Sequence, residues 1–251
     1  LCSVGTRDVF DCICGYIGNQ RNIPVIYFQH GGTQVFRKDY SFIKLVETDK
    51  KIKSTLILNS IVEKEYIDSD GCRSIALGSI LRYKLINQIC NINNRKILYL
   101  SGTFPVRSYR TIQDNISDYQ FYQVNKDILE TAKILSLKMD IKPHPIDHDS
   151  QWDYFSKFNK EIDNLKCDII YSTSAELIMN KYGLIILDMV VTSILPYALS
   201  LKVPVILYLK DNSIINEVSL GDLNNRCYIV NNEASLREIL YKYAQDDLPH
   251  K

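Results

Sequence analysis

At 251 residues the chain is long enough for one large or two small domains, and 30 Lys plus Arg against 29 Asp plus Glu give no reason to expect a nucleic-acid partner. Its seven cysteines are odd in number and mostly stand inside apolar runs, which points to reduced cytosolic thiols; Cys12 and Cys14, separated by a single residue, match neither zinc-ribbon nor thioredoxin spacing and are assigned to packing. The chain starts at Leu1 without a basic segment and apolar signal core, which suggests a fragment or trimmed product, not a secreted precursor.

Apolar residues at Val9, Phe10, Ile13, Tyr16 and Ile17 predict a helix over 8–19, capped by Thr6 or Ser3 and ending near Gly18. Residues 24–28 are β-rich and stop at Gln29-His30-Gly31-Gly32, so a strand delivers His30 into a glycine loop that a ligand can approach closely. Residues 35–53 lack a period and read as a connection. Short strands follow at 55–59 and 73–77, separated by the turn-like Asp68-Ser69-Asp70-Gly71, and 79–92 reads as a helix crossing between halves. Pattern alone divides the chain into 1–94 and 95–251, because no linker, repeat or low-complexity tract marks a boundary.

From residue 95 onward the alternation is regular. Strands are expected at 96–100, 135–141, 167–171, 184–190, 203–209 and 226–230, and helices at 118–135, 152–165, 175–182, 193–201 and 234–244. The apolar stretch 183–209 is long enough to span a bilayer, but Asp188, Pro196, Lys202 and Pro204 divide it into strand, helix and strand. Such alternation argues for a parallel sheet covered on both faces, whose right-handed crossovers gather the carboxyl ends of the strands on one edge. Gly102, His144, Ser172 and Thr192 then converge on that edge, where open α/β sheets bind ligands.

Lys142-Pro143-His144-Pro145 is the stiffest of these loop starts. Each proline fixes its own φ and pushes the preceding residue away from helix, so His144 stands on an extended stub, as a ligand contact or as a histidine satisfied in a turn. Thr192-Ser193 opens a predicted helix. Its hydroxyls either cap that helix or, with the adjacent amides and the helix dipole, hold a phosphate near His144.

The succession Phe28-Gln29-His30-Gly31-Gly32, Ser101-Gly102-Thr103, Lys142-Pro143-His144-Pro145, Asp188 through Thr192-Ser193, and Val203-Pro204-Val205-Ile206-Leu207-Tyr208 resembles bacterial surface-polysaccharide transferases of the GT-B fold. Those families include the capsule Kdo transferases, polysialyltransferases, CDP-glycerol glycerophosphotransferases and a group of surface-carbohydrate transferases. The resemblance implies an α/β, GT-B-like protein: a Rossmann-type parallel-sheet donor domain over 95–251, preceded by the end of an amino-terminal Rossmann-like, acceptor-side domain over 1–94. It carries donor-phosphate binding onto His144, Thr192 and Ser193, nucleotide contacts onto Gly102, Thr103, Ser172 and Ser174, and a general-base or acceptor-side role onto His30. A histidine suits proton transfer because its ordinary pKa lies near working pH, and the roles of His30 and His144 can be exchanged on this reading.

The activity so implied is transfer of a sugar from a CMP-, CDP- or UDP-linked donor to a surface glycan or lipid-linked acceptor. It takes place in the cytoplasm or at the inner face of the membrane, with peripheral attachment to the membrane or to other assembly enzymes, and with no resident cofactor. Alternatives are a CDP-glycerol-type polyol phosphotransferase, a noncatalytic nucleotide-binding subunit and a nucleotide-sugar 2-epimerase. Against the epimerase, Tyr208-Leu209-Lys210-Asp211 stands where that family would show an arginine-proline-glutamate signature.

Asp68-Ser69-Asp70 and Asp147-His148-Asp149 resemble paired-aspartate metal signatures, but they read better as a turn and a solvated helix cap, so no metal is assigned. Trp152, Tyr154, Phe155 and Phe158 have core spacing. His148, His250, the lysines at 50, 51 and 53, and Arg107 and Arg110 are assigned to the surface.

Overall fold

The computed structural model describes residues 2–3, 9–28, 55–58, 64, 73–77, 95–102, 117–144, 155, 167–190, 192, 194–210, 215, 217–249 and 251. The chain divides into two compact units, Leu1–Lys84 and Leu85–Lys251.

In the first unit the described strands are β1 (Cys2–Ser3), β2 (Ile26–Phe28), β3 (Thr55–Leu58) and β4 (Arg73–Ala76), parallel and adjacent in that order. Ser3 therefore belongs to a strand and does not cap the helix that follows. That helix, α1 (Val9–Gln20), runs past Gly18 and is stopped by Asn22, whose φ of 53° lets the Ile23 amide return to the Gly18 carbonyl at 2.9 Å. Gly18 lies inside the helix where a side chain would be crowded: a Cβ there would lie 3.0 Å from Cγ2 of Val25.

The described strands of the second unit are β5 (Ile97–Leu100), β6 (Met139–Lys142), β7 (Cys167–Ile169), β8 (Leu184–Leu187), β9 (Val205–Tyr208) and β10 (Tyr228–Val230). All pair in parallel, in the order β10-β9-β8-β5-β6-β7. The chain builds outward from β5 on one side and, from β8, outward on the other, which is the Rossmann arrangement with its topological switch point between β5 and β8. Every residue of β5, β6, β8 and β9 is buried, as parallel strands covered on both faces require.

Helix α2 (Asp118–Ile134) starts where Ser117 and Gln120 form a reciprocal capping box and ends where Ser136 takes φ 53°. Leu135 to Leu137 thus finish the helix, and the strand leading to His144 is shorter than the apolar run suggests. Val124, Ile128, Leu129 and Ala132 of α2 join the core beneath the sheet, together with Leu236 and Leu240 of a final helix (Glu233–Ala244). Phe155 is buried in the same core with its ring edge-on to Tyr99, centroids 6.3 Å apart. Trp152, Tyr154 and Phe158 lie outside the described residues.

The stretch 183–209 resolves into β8, a short helix α3 (Leu195–Ser200) and β9. Among the described residues no helix is long and apolar enough to cross a membrane. Two further expectations change. Residues 175–182 form two 3₁₀ turns, Ala175–Leu177 and Met179–Lys181, not one helix. Their tighter winding gains more length per residue, and the chain returns to the sheet with the Tyr182 hydroxyl donating to Asp140 at 2.6 Å. Helix α4 (Glu217–Arg226) fills a segment with no clear sequence signal. It takes up Arg226, whose guanidinium donates to the carbonyls of Leu199, Leu201 and Val203, so β10 starts later than expected. The final helix, Glu233–Ala244, is hereafter α5.

Candidate functional site

Alternation along a strand sends successive side chains to opposite faces, and at a carboxyl end the last residues turn toward solvent at the sheet edge. At that edge of the second unit lies a cavity of about 160 Å³. Leu100 and Ser101 enter it from the end of β5, and Lys142, Pro143 and His144 from the end of β6. Ser174, Ala175 and Glu176 come from the turn after β7, Leu187 and Met189 from the end of β8, and Thr192 and Ile194 from the approach to α3. Its walls are largely apolar, with an ammonium, an imidazole, a carboxylate and three hydroxyls among them, the mixture that fixes a small polar ligand's orientation.

A buried clamp braces the switch point. Asp188, just past β8, accepts the backbone N–H of Gly102 at 2.7 Å and the Tyr99 hydroxyl at 2.6 Å. The Tyr99 oxygen also lies 2.8 Å from Oδ1 of Asn125, whose side-chain amide donates to the Phe121 carbonyl at 2.7 Å. The clamp joins the end of β5 to the end of β8, and its centre is tight: a Cβ on Gly102 would sit 2.9 Å from Sδ of Met189 and 3.0 Å from Oδ1 of Asp188, so those side chains would have to shift. Gly102 therefore spends its amide on Asp188 and does not line the cavity, although its neighbour Ser101 does.

His144 is half-buried in the cavity wall and shares it with Thr192 and Ser174, which come from loops distant in sequence. Ser174 takes extended backbone before the 3₁₀ turn and makes no capping bond with its side chain. Ser172 is exposed and outside the lining.

Thr192 differs from the expected helix cap. Its Oγ1 accepts the Ile194 N–H at 3.3 Å, its carbonyl accepts the Leu195 N–H at 3.3 Å, and Pro196 in the first turn of α3 has no N–H to offer. The helix start is thus already occupied by Thr192 itself. What Thr192 still has for a ligand is its hydroxyl proton. Three sequence candidates, His30, Thr103 and Ser193, lie outside the described residues, as do the aspartate pairs of 68–70 and 147–149.

The cavity also contains groups that motif reading passed over. Ser101 is buried, and its Oγ donates to the Gly102 carbonyl at 3.1 Å. Glu176 sits on the 3₁₀ turn. Lys142 is only 5% exposed although it carries a charge, and its Nζ donates to the carbonyls of Pro143 at 3.4 Å and Tyr171 at 3.3 Å. Burial pushes its pKa below the ordinary lysine value, and the negative charge of Glu176 opposes that shift only in part. The signal available in the sequence was a lysine at the end of a predicted strand, directly before Pro143-His144.

Fold and edge together define an α/β protein of the GT-B-like, Rossmann type. The chain aligns over 99% of its length, and over 69% of the other chain, with the crystal structure of Methanocaldococcus jannaschii UDP-GlcNAc 2-epimerase in complex with UDP-GlcNAc and UDP, at a TM-score of 0.65 and 16% identity. It aligns over 98% of its length, and 67% of the other, with a Listeria monocytogenes structure described as a UDP-N-acetylglucosamine 2-epimerase, at a TM-score of 0.57 and 11% identity. At these identities the likeness establishes the fold. No protein-family model matches the sequence, and no curated protein matches it.

Proposed function

We propose that this chain belongs to an enzyme acting on a nucleotide-activated sugar, and that its reaction is glycosyl transfer to a surface-glycan acceptor. The observation that supports the reading most is that His144 and Thr192, expected from sequence to hold one phosphate, line a single cavity at the carboxyl edge of a Rossmann-type sheet. A nucleotide leaving a sugar gains negative charge on its phosphate. A protonated imidazole and a hydroxyl aimed at that oxygen stabilise the charge as it develops. On this reading His144 and Thr192 take the leaving phosphate, Ser193 and Thr103 extend the contact, Ser174 and Ser172 lie toward the nucleoside, and Gly102 acts through the loop it shapes. His30 takes the acceptor proton, and no resident cofactor or metal ion is required.

Nucleotide-sugar 2-epimerisation is the second reading, favoured by the two structural neighbours and opposed by the Tyr208-Leu209-Lys210-Asp211 sequence after β9. Calorimetry with CMP, CDP, UDP and GDP tests the shared part: one of them should bind, and His144→Ala should weaken it at least about tenfold, the loss of one charge-assisted hydrogen bond. No binding by any of the four, or an unchanged affinity in the variant, ends the reading. Chromatography of the products then separates the two reactions. Incubation of UDP-GlcNAc with the protein alone yields the 2-epimer only on the second reading, whereas glycan-dependent nucleotide release supports the first.

A further inference from the structure

We propose that Lys142 is the anion-contacting cation of the cavity, meeting a phosphate oxygen of the bound nucleotide sugar directly, and that its ammonium has no carboxylate partner among the described residues for that reason. The inference deepens the nucleotide-sugar reading and rests on it.

Charge and burial carry the argument. Lys96 and Lys210 are also partly buried, and each is paired with carboxylate: Lys96 with Asp140 at 2.8 Å and Asp168 at 3.2 Å, Lys210 with Asp127 at 2.6 Å. Lys142 is buried more deeply than either, yet its contacts are two long ones to carbonyl oxygens. An ammonium has three donors, so two such contacts leave one available. Glu176 acts on it through space and makes no ion pair with it. Taking a charge out of water without a counter-ion destabilises a fold, and a protein keeps such a charge where something else neutralises it. The same cavity wall bears His144 and Thr192, so an anion held there meets all three donors. The apolar remainder of the wall, Leu100, Leu187 and Met189, lowers the local dielectric and strengthens each of those contacts.

The test compares the wild-type chain with Lys142→Met, using inorganic pyrophosphate, UDP and uridine as probes in calorimetry. Lys142→Met should weaken pyrophosphate and UDP at least tenfold, leave uridine within about twofold, and melt at the same temperature as wild type or higher without ligand, because the uncompensated charge is gone. An equal loss for uridine would mean that the lysine only shapes the pocket, and would overturn the proposal. So would unchanged pyrophosphate affinity, or a wild-type chain that does not bind pyrophosphate. Pyrophosphate binding that depends on Lys142 in a chain without affinity for any nucleotide would instead end the nucleotide-sugar reading and leave the anion site standing. Should Lys142→Met fail to fold, Lys142→Gln, which removes the charge and keeps an N–H donor on a side chain one bond shorter, carries the same expectations.

Discussion

Two lysines border the same six-stranded sheet, one before the amino end of β5 and one at the carboxyl end of β6, and they are treated in opposite ways. Lys96 meets Asp140 and Asp168, and Asp140 in turn accepts the Tyr182 hydroxyl at 2.6 Å and the Asp168 N–H at 3.1 Å, so the local charges and donors are answered within the protein. Among the described residues, Lys142 has only carbonyl oxygens at hydrogen-bonding distance. On the proposed reading the amino edge serves stability and the carboxyl edge a ligand, in keeping with the rule that open α/β sheets bind at one end.

Three experiments break or sharpen that contrast. The largest effect is expected from Asp140→Ala, which leaves Lys96, the Tyr182 hydroxyl and the Asp168 amide without their shared acceptor. Urea unfolding should show a loss of about 3 kcal/mol, as for other half-removed buried pairs, with UDP affinity within twofold of wild type. A marked fall in affinity would dissolve the division of labour between the edges.

Gly102→Ala comes next. Its new Cβ presses on Met189 and Asp188, at a cost of about 1–2 kcal/mol for overpacking. Because the clamp it disturbs joins β5 to β8 beside the cavity, UDP binding should weaken as well, which isothermal titration would measure.

The smallest effect is in pH dependence, where the two lysines should give slopes of opposite sign. Burial lowers the pKa of Lys96, but the hydrogen bonds and negative charges of Asp140 and Asp168 together outweigh that and raise it above the ordinary 10.5. Its stabilising contribution is therefore complete below about 10.5 and is lost as pH climbs through the raised value. Lys142 has a lowered pKa, chiefly from burial. In the window from that lowered value up to about 10.5 the unfolded chain holds more protons, so stability gains with pH there. Melting curves of Lys96→Met and Lys142→Met against wild type across alkaline pH should diverge from it in opposite directions, and parallel curves would count against the contrast.

The architecture was legible because its signals are local. Apolar runs bounded by polar turns mark β5, β8 and β9, and Asp188, Pro196, Lys202 and Pro204 divide 183–209 as strand, helix and strand. The stiffness of Pro143-His144-Pro145 was equally plain, since proline geometry needs no neighbours. By contrast, Thr192 read as the cap of a helix that begins only at Leu195, because the amides its oxygens engage are decided by how the chain enters α3. Residues 175–182 read as a helix because their pattern is helical, while the span back to β8 selects 3₁₀ turns.

By itself the sequence determined the alternation of strands and helices from residue 95 onward, the parallel sheet that this alternation implies, and the stiff histidine just past one strand, but neither the 3₁₀ turns of 175–182 nor α4. Tertiary structure decided the strand order, and with it the switch point that brings Ser101, Lys142, His144 and Thr192 to one cavity. Strand order rests on pairings between segments far apart in the chain, and no single apolar run records its neighbours. The same holds for Lys142, whose significance lies in burial and in the carboxylate it does not meet, properties that exist only once β6 is enclosed between β5 and β7.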